Sequence, residues 1–239
     1  PHVNRIDGGD AVAVLSGLVP GKSGELKLAQ AALLQLGRLA SRDVQAATAL
    51  RRFASQEGGI PPGLRLDLLE ALRTSGVETL PATGDRSARY EDCLEGGDPL
   101  RGREVFFNNP TVQCLRCHTV SGQGGTVGPE LTGIGGRQPR GQLLESLVIP
   151  NARIAEGFES VVLSLSDGRS VAGMLKRESD DVFELEVPDP DTGEVRAQTV
   201  QRSGVVARVR SVSAMPEGLA EQLSLFEIRD LVAYLAGLK

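Results

Sequence analysis

Tryptophan is absent from this chain, and aromatic residues make up only 3% of it. Aliphatic side chains must therefore build most of any packed core, and a hydrophobic content of 40% supplies enough of them. Histidine and methionine are scarce too, with two of each among 239 residues. Cysteine numbers three, an odd count that supports no disulfide framework. The 26 Lys and Arg are outnumbered by 31 Asp and Glu, giving a net charge of −5 and a pI near 5.2. That balance lacks the basic footprint of a nucleic-acid binder and offers no basic stripe to a membrane surface. No run approaches the ~20 apolar residues of a membrane-spanning helix. A signal peptide is also missing, and the chain opens PHVNR without an initiator Met, so a processed form or a piece of a longer protein is expected.

What is present divides by periodicity. Residues 1–95 read as short helices joined by Gly, Pro and Ser loops. Asp10 is placed to cap the first of them. Leu26, Leu28, Ala31, Leu34, Leu36 and Leu39 recur at helical spacing in the second. Ser41 is read as the cap of the third. Pro61 and Pro62 open the fourth and Gly76 stops it. The loose likeness of LLQLGRLA to LLEALRTSG suggests HEAT-like α-hairpins, with a plain helical bundle as the alternative. The polar, Gly-rich stretch ending in EGGDP sets a boundary near residues 95–97, and residues 98–155 are helical again. Residues 158–213 switch to period-2 alternation in about five short strands, with turns at Asp167-Gly168 and at PDPDTGE. Leu223, Ile228, Leu231, Val232 and Leu235 then form the apolar stripe of a final helix. The expected architecture is mainly α. An N-terminal HEAT-like region covers 1–95, and a second domain, 96–239, is interrupted at about 158–213 by a small β barrel or meander.

Two of the three cysteines fall in TVQCLRCHTV, as Cys114-x-x-Cys117-His118. Cysteines at i and i+3 leave one face of a helical turn and match the two vinyl groups of haem, while the next residue offers its imidazole to the iron. A structural zinc site wants four Cys or His ligands, usually from two knuckles, and no second knuckle is present. A thioredoxin-like dithiol wants a βαβ context, which is missing. The residues thus favour a covalent haem c, one per chain. His2, Met174 and Met215 are the candidates for its other face. Met215 sits in the Pro- and Gly-rich loop SVSAMPEGL before the last helix and is the leading one. Met174 lies mid-strand and reads as an ordinary barrel side chain, and His2 reads as a surface residue. The Pro129 carbonyl is positioned to accept the Nδ1–H of His118. Arg137 and Arg140 follow the Gly-rich loop and are candidates for the haem propionates, with solvated surface charge as the alternative. Gly102 and Phe106 are expected to meet the last helix near Tyr234, the glycine permitting a close crossing. Cys93 is read as a buried small hydrophobe, or if exposed as a link between two chains.

The order Gly102, Phe106, Cys114-x-x-Cys117-His118, Gly128-Pro129-x-Leu131, Met215-Pro216 and a final amphipathic helix resembles class I cytochrome c. GGDPLRGREVFF, CLRCHTVSGQGGTVGPELTGIGGR, LLESLVIPNARIAEGFE and SAMPEGLAEQLSLFEIRDLVAYL are similar to the haem-binding domain of planctomycete and verrucomicrobial proteins over residues 96–239. The resemblance implies a cytochrome c fold and an exported, periplasmic setting, and it makes the β insert a family feature. The expected function is electron transfer through a haem ligated by His118 and Met215, from an upstream dehydrogenase domain or partner protein to a respiratory acceptor. The module is then an electron carrier rather than a catalyst by itself. The alternatives are a haem enzyme or gas sensor with a labile sixth ligand, and an interaction scaffold with structural haem.

Overall fold

The computed structural model describes residues 8–19, 25–56, 60–76, 88–188, 195–210 and 212–239. His2 and the tip of the PDPDTGE turn lie outside them. The chain forms two compact units, Pro1–Val105 with Leu223–Gly237, and Phe106–Gln222 with Leu238–Lys239.

The first unit holds α1 (Gly8–Leu18), α2 (Leu26–Ala40), α3 (Val44–Ala54), α4 (Pro62–Ser75), a 3-10 turn at Ala88–Cys93, and α9 (Leu225–Gly237). It also holds the larger part of α5 (Pro99–Asn108). Helix α2 packs on α1, α3 and α4. Their shared core is aliphatic, with Leu33, Leu36, Leu50, Leu64 and Leu72 almost wholly buried and Phe53 its one aromatic member. Pro62 sits at the first helical position of α4, and Gly76 ends that helix in the left-handed region at φ 67°. Ser41 does not cap α3. Asp43 does, its Oδ1 accepting from Gln45 N at 2.8 Å and Ala46 N at 3.3 Å, because the turn after α2 uses Ser41 and Arg42. Asp10 likewise lies within the first turn of α1, which begins at Gly8.

The five stripe residues are all buried, but only Ile228, Leu231, Val232 and Leu235 lie in α9; Leu223 precedes the helix. Two charged residues of the same helix are buried with them. Arg229 Nη1 donates to Asp67 Oδ2 of α4 at 2.7 Å, with side-chain exposures of 2% and 1%. Asp230 accepts from Asp98 N at 2.6 Å and from Arg101 Nε at 2.7 Å. A side chain on Gly102 of α5 would run into the Asp230 carbonyl and lie 2.8 Å from Tyr234 Cβ. The close α5–α9 crossing read from the sequence is therefore present at Gly102. Within EGGDP the glycines are half-buried while Glu95 and Pro99 are exposed, and Gln30 Nε2 donates to Gly63 O at 2.9 Å and to Gly96 O at 2.8 Å. Cys93 is fully buried, its thiol donating to Leu225 O at 3.3 Å, so it is not placed to join two chains.

The second unit holds the end of α5, α6 (Cys114–Cys117), β1 (Thr119–Val120), β2 (Gln123–Gly124), α7 (Ile134–Arg137) and α8 (Arg140–Val148). After them come β3 (Glu159–Leu165), β4 (Ser170–Glu178), β5 (Val182–Pro188), β6 (Val195–Gln201), β7 (Val205–Arg210) and a 3-10 turn at Leu219–Gln222. The last five strands form one antiparallel sheet in the order β6-β5-β4-β3-β7. Its core is Val161, Leu163, Leu175, Phe183, Leu185 and Val200. Strands β6 and β7 occupy opposite edges yet are joined only by the short turn Arg202–Gly204. In a flat sheet those edges would stand ~19 Å apart, beyond the ~14 Å that four extended residues can span. The sheet must therefore roll, and register shifts at Ser164/Leu165 and Leu175/Arg177 supply local twist. No ladder joins β6 to β7, so of the barrel or meander expected for the insert the closed barrel is excluded, and the sheet is an open, rolled meander with β7 added beside β3.

The buried Asp67–Arg229 pair makes a sharp expectation. Asp67→Ala strands a guanidinium in an apolar setting and lowers unfolding stability by about 3–5 kcal/mol. Asp67→Leu combined with Arg229→Met recovers most of that loss. Urea unfolding midpoints of the three proteins check both statements.

Candidate functional site

The site is built on a backbone turn that the sequence prepares locally. After α5, the Asn109 side chain accepts from Thr111 N at 2.9 Å and Val112 N at 3.2 Å, folding the chain back on itself. Gln113 then takes a left-handed φ of 44°, and a single helical turn follows over Cys114–Cys117. Both cysteines are free and partly buried. Their i and i+3 positions put the two sulfurs on one side of that turn. His118 leaves the turn in extended conformation, at φ −106° and ψ 141°.

Its imidazole is fixed by the loop that follows. His118 Nδ1 lies 2.9 Å from Pro129 O. A carbonyl only accepts, so Nδ1 carries the proton and Nε2 keeps its lone pair for a metal. Gly128 lies against the ring: a Cβ there would stand 2.6 Å from Cε1 and 2.8 Å from Nδ1. Backbone bonds hold the loop to the Cys turn, with Gly125 N donating to Leu115 O at 2.9 Å, Gly128 N to Cys117 O at 2.8 Å and Leu131 N to Thr119 O at 2.8 Å. The hairpin of β1 and β2 turns on Ser121 and Gly122, both at positive φ, and Ser121 N donates to Thr132 Oγ1 at 2.7 Å. The sequence reading singled out the Pro129 carbonyl but gave Gly128 only as part of the Gly128-Pro129-x-Leu131 resemblance, with no contact to His118. Its spacing from His118 carries no local pattern, because the two meet through the loop's return.

The electrostatics separate the readings of the motif. Burial pushes the Cys114 thiol up to about 11, which keeps it protonated at neutral pH. Redox-active dithiols show the opposite, a lowered thiol. Burial also pushes His118 below the ordinary histidine value, with the Pro129 carbonyl opposing the shift, so the neutral imidazole is favoured. Among the described residues, no group of three or more His, Cys, Asp or Glu could hold a metal ion.

The other candidates are distributed as follows. Arg137 is exposed, and its guanidinium donates to Thr132 O at 2.8 Å and Glu130 O at 3.4 Å, tying down the Gly-rich loop. Arg140 is the first residue of α8 and half-buried. Met215 is half-buried on the loop between β7 and the Leu219–Gln222 turn, its amide donating to Ser213 Oγ at 3.1 Å. Met174 lies in β4 opposite Ser160 and Glu186. The donor set therefore fits a covalently held haem: two thiols on one helical turn, followed by an imidazole whose remaining nitrogen is free to ligate.

Gly128 gives the test of this packing. Gly128→Val forces the ring or the loop aside and lowers the stability of the haem-loaded protein by about 1–3 kcal/mol, read as a shift in the urea midpoint. Gly128→Ala has a smaller effect of the same sign.

Residues 100–160 match the family model described as cytochrome c. No curated protein matches the chain. The matched segment takes in α5 from Leu100 onward, the Cys114–His118 motif, Pro129, Arg137, Arg140 and all of α8. Residues 100–160 thus form a cytochrome c-like haem-binding segment, a likeness that supports haem, iron and electron-transfer chemistry here.

Proposed function

We propose that the chain is a mono-haem c-type cytochrome whose iron is held by His118 and Met215. One observation carries the reading: the His118 Nδ1 bond to Pro129, directly after a turn that presents two thiols. Bound there, haem c supplies a one-electron Fe(III)/Fe(II) couple. Cys114 and Cys117 tether it by thioethers. Pro129 keeps the His118 ring oriented and raises its basicity as a ligand. Met215 would supply a thioether as the second protein ligand, which would favour the ferrous state and raise the potential relative to two histidines. A filled sixth position suits electron transfer rather than oxygen activation. Arg137 and Arg140 are assigned to the propionates. For Arg137, whose guanidinium also serves the loop carbonyls, that role is an additional one.

The wider setting belongs to the same proposal. Residues 96–239 form the haem module, of the planctomycete and verrucomicrobial type, and residues 1–95 a HEAT-like helical region. The module is exported to the periplasm, accepts electrons from a dehydrogenase domain or partner and passes them to a respiratory acceptor. Among the described residues, no helix is long and apolar enough to cross a membrane.

The visible spectrum of the oxidised protein tests the ligand pair. Wild type shows a low-spin spectrum with a weak sulfur-to-iron band at the red end. Met215→Ala loses that band and binds CO rapidly when reduced, whereas Met174→Ala keeps it. The reverse pattern removes Met215 from the site.

A further inference from the structure

The Met215 loop is gripped on both sides by one side chain. Asn151 follows α8 and is half-buried. Its Oδ1 accepts from Ser213 N at 2.7 Å, and its Nδ2 donates to Glu217 Oε1, also at 2.7 Å. The amide orientation is dictated by the partners, since an N–H can only donate and a carboxylate can only accept. Ser213 and Glu217 each stand two residues from Met215. Within the grip, Met215 N donates to Ser213 Oγ at 3.1 Å, so the backbone of the methionine itself is tied to the clamped residue.

The β insert is what brings these residues together. Asn151 precedes β3 and Ser213 follows β7, and β3 and β7 are paired neighbours with Val161 opposite Arg210. Arg208 and Arg210 of β7 both contact Glu159, the first residue of β3, at 3.2 and 3.1 Å. The chain therefore enters and leaves the sheet side by side. On the far side of the loop, α8 packs against the 3-10 turn Leu219–Gln222.

We propose that Asn151 is a positioning residue that locks the Met215 loop, so that the hydrogen-bonded clamp from Ser213 to Glu217 controls how readily the thioether gives up the iron. The inference rests on Met215 being the distal ligand. A small ligand that competes for the iron then reports the opening of the loop, since its association is limited by departure of the methionine. Each clamp bond removed leaves the loop freer to open, and a typical hydrogen bond is worth roughly tenfold in such an equilibrium.

The experiment measures imidazole association with the oxidised, haem-loaded full chain, alongside the sulfur-to-iron band and amide exchange at Ser213. Asn151→Ala is expected to bind imidazole about tenfold or more faster than wild type, with a weakened band and faster Ser213 exchange. Asn151→Asp faces Glu217 with a like charge and also opens. Asn151→Asp combined with Glu217→Gln restores the pair with its polarity reversed, and the rate falls back toward wild type. Should Asn151→Ala fail to accumulate with haem, Asn151→Ser carries the same comparison. Wild-type imidazole binding in Asn151→Ala, with the band intact in both proteins, overturns the clamp. So does a double variant no slower than Asn151→Asp alone. A wild type that lacks the band and binds imidazole as fast as Met215→Ala overturns the ligand reading, and the clamp with it.

Discussion

The hydrogen bond between His118 and the Pro129 carbonyl is the constraint on which the site depends. It is a bond between a side chain and a loop that must fold back to reach it. Three backbone bonds from Gly125, Gly128 and Leu131 to the Cys turn and its flank hold that return. Gly128 lets the backbone lie against the ring, where no larger residue fits. One tautomer follows, and with it one nitrogen for the metal. The electrostatics agree with the geometry: the buried thiol and imidazole are both held in their neutral forms, as suits groups that bond to a cofactor rather than exchange protons or electrons themselves.

A different interaction organises the first unit. Burying Arg229 and Asp67 carries a desolvation cost that their mutual bond largely offsets, so the pair adds little net stability while intact. Its effect is selective, because α9 turned about its axis, or slid along α4, would leave both charges buried and alone. Asp230, bonded to Arg101 and to the Asp98 amide, imposes the same demand on α5. An aliphatic core alone tolerates many registers. The charges on α9 reject most of them.

Much of this was legible in the sequence, and the limits have physical causes. Helix α9 follows from its apolar stripe and α4 from Pro62 and Gly76, whereas α2 is helical as its spacing predicts but packs through another face: of its six stripe residues only Leu36 is buried, Leu28 and Leu39 are exposed, and Ala29, Ala32, Leu33 and Ala40 take the core positions. The five strands of the sheet follow from period-2 alternation. The cap of α3 was misplaced at Ser41 because Ser and Asp both cap well, and only the length of the turn chooses Asp43. Barrel and meander both stayed open in the sequence because short alternating strands are common to closed and open sheets. Whether β6 meets β7 is decided by roll and register, which no local pattern records. Nothing in the sequence marks Arg229 and Asp230 as buried, since their partners lie far along the chain at Asp67, Asp98 and Arg101.

The sequence by itself determined the chemistry on offer: two thiols on one helical turn, an imidazole beside them, and very few other strong donors. Those are facts of composition and of spacing within five residues, which the helical repeat converts directly into geometry. The tertiary structure decided how those groups are held. It brought Pro129 and Gly128 to His118, Asn151 to the loop of Met215, and Asp67, Asp98 and Arg101 to the charges of α9. Each choice joins residues that only the folded backbone brings within hydrogen-bond reach, and neither propensity nor periodicity has any range over such separations.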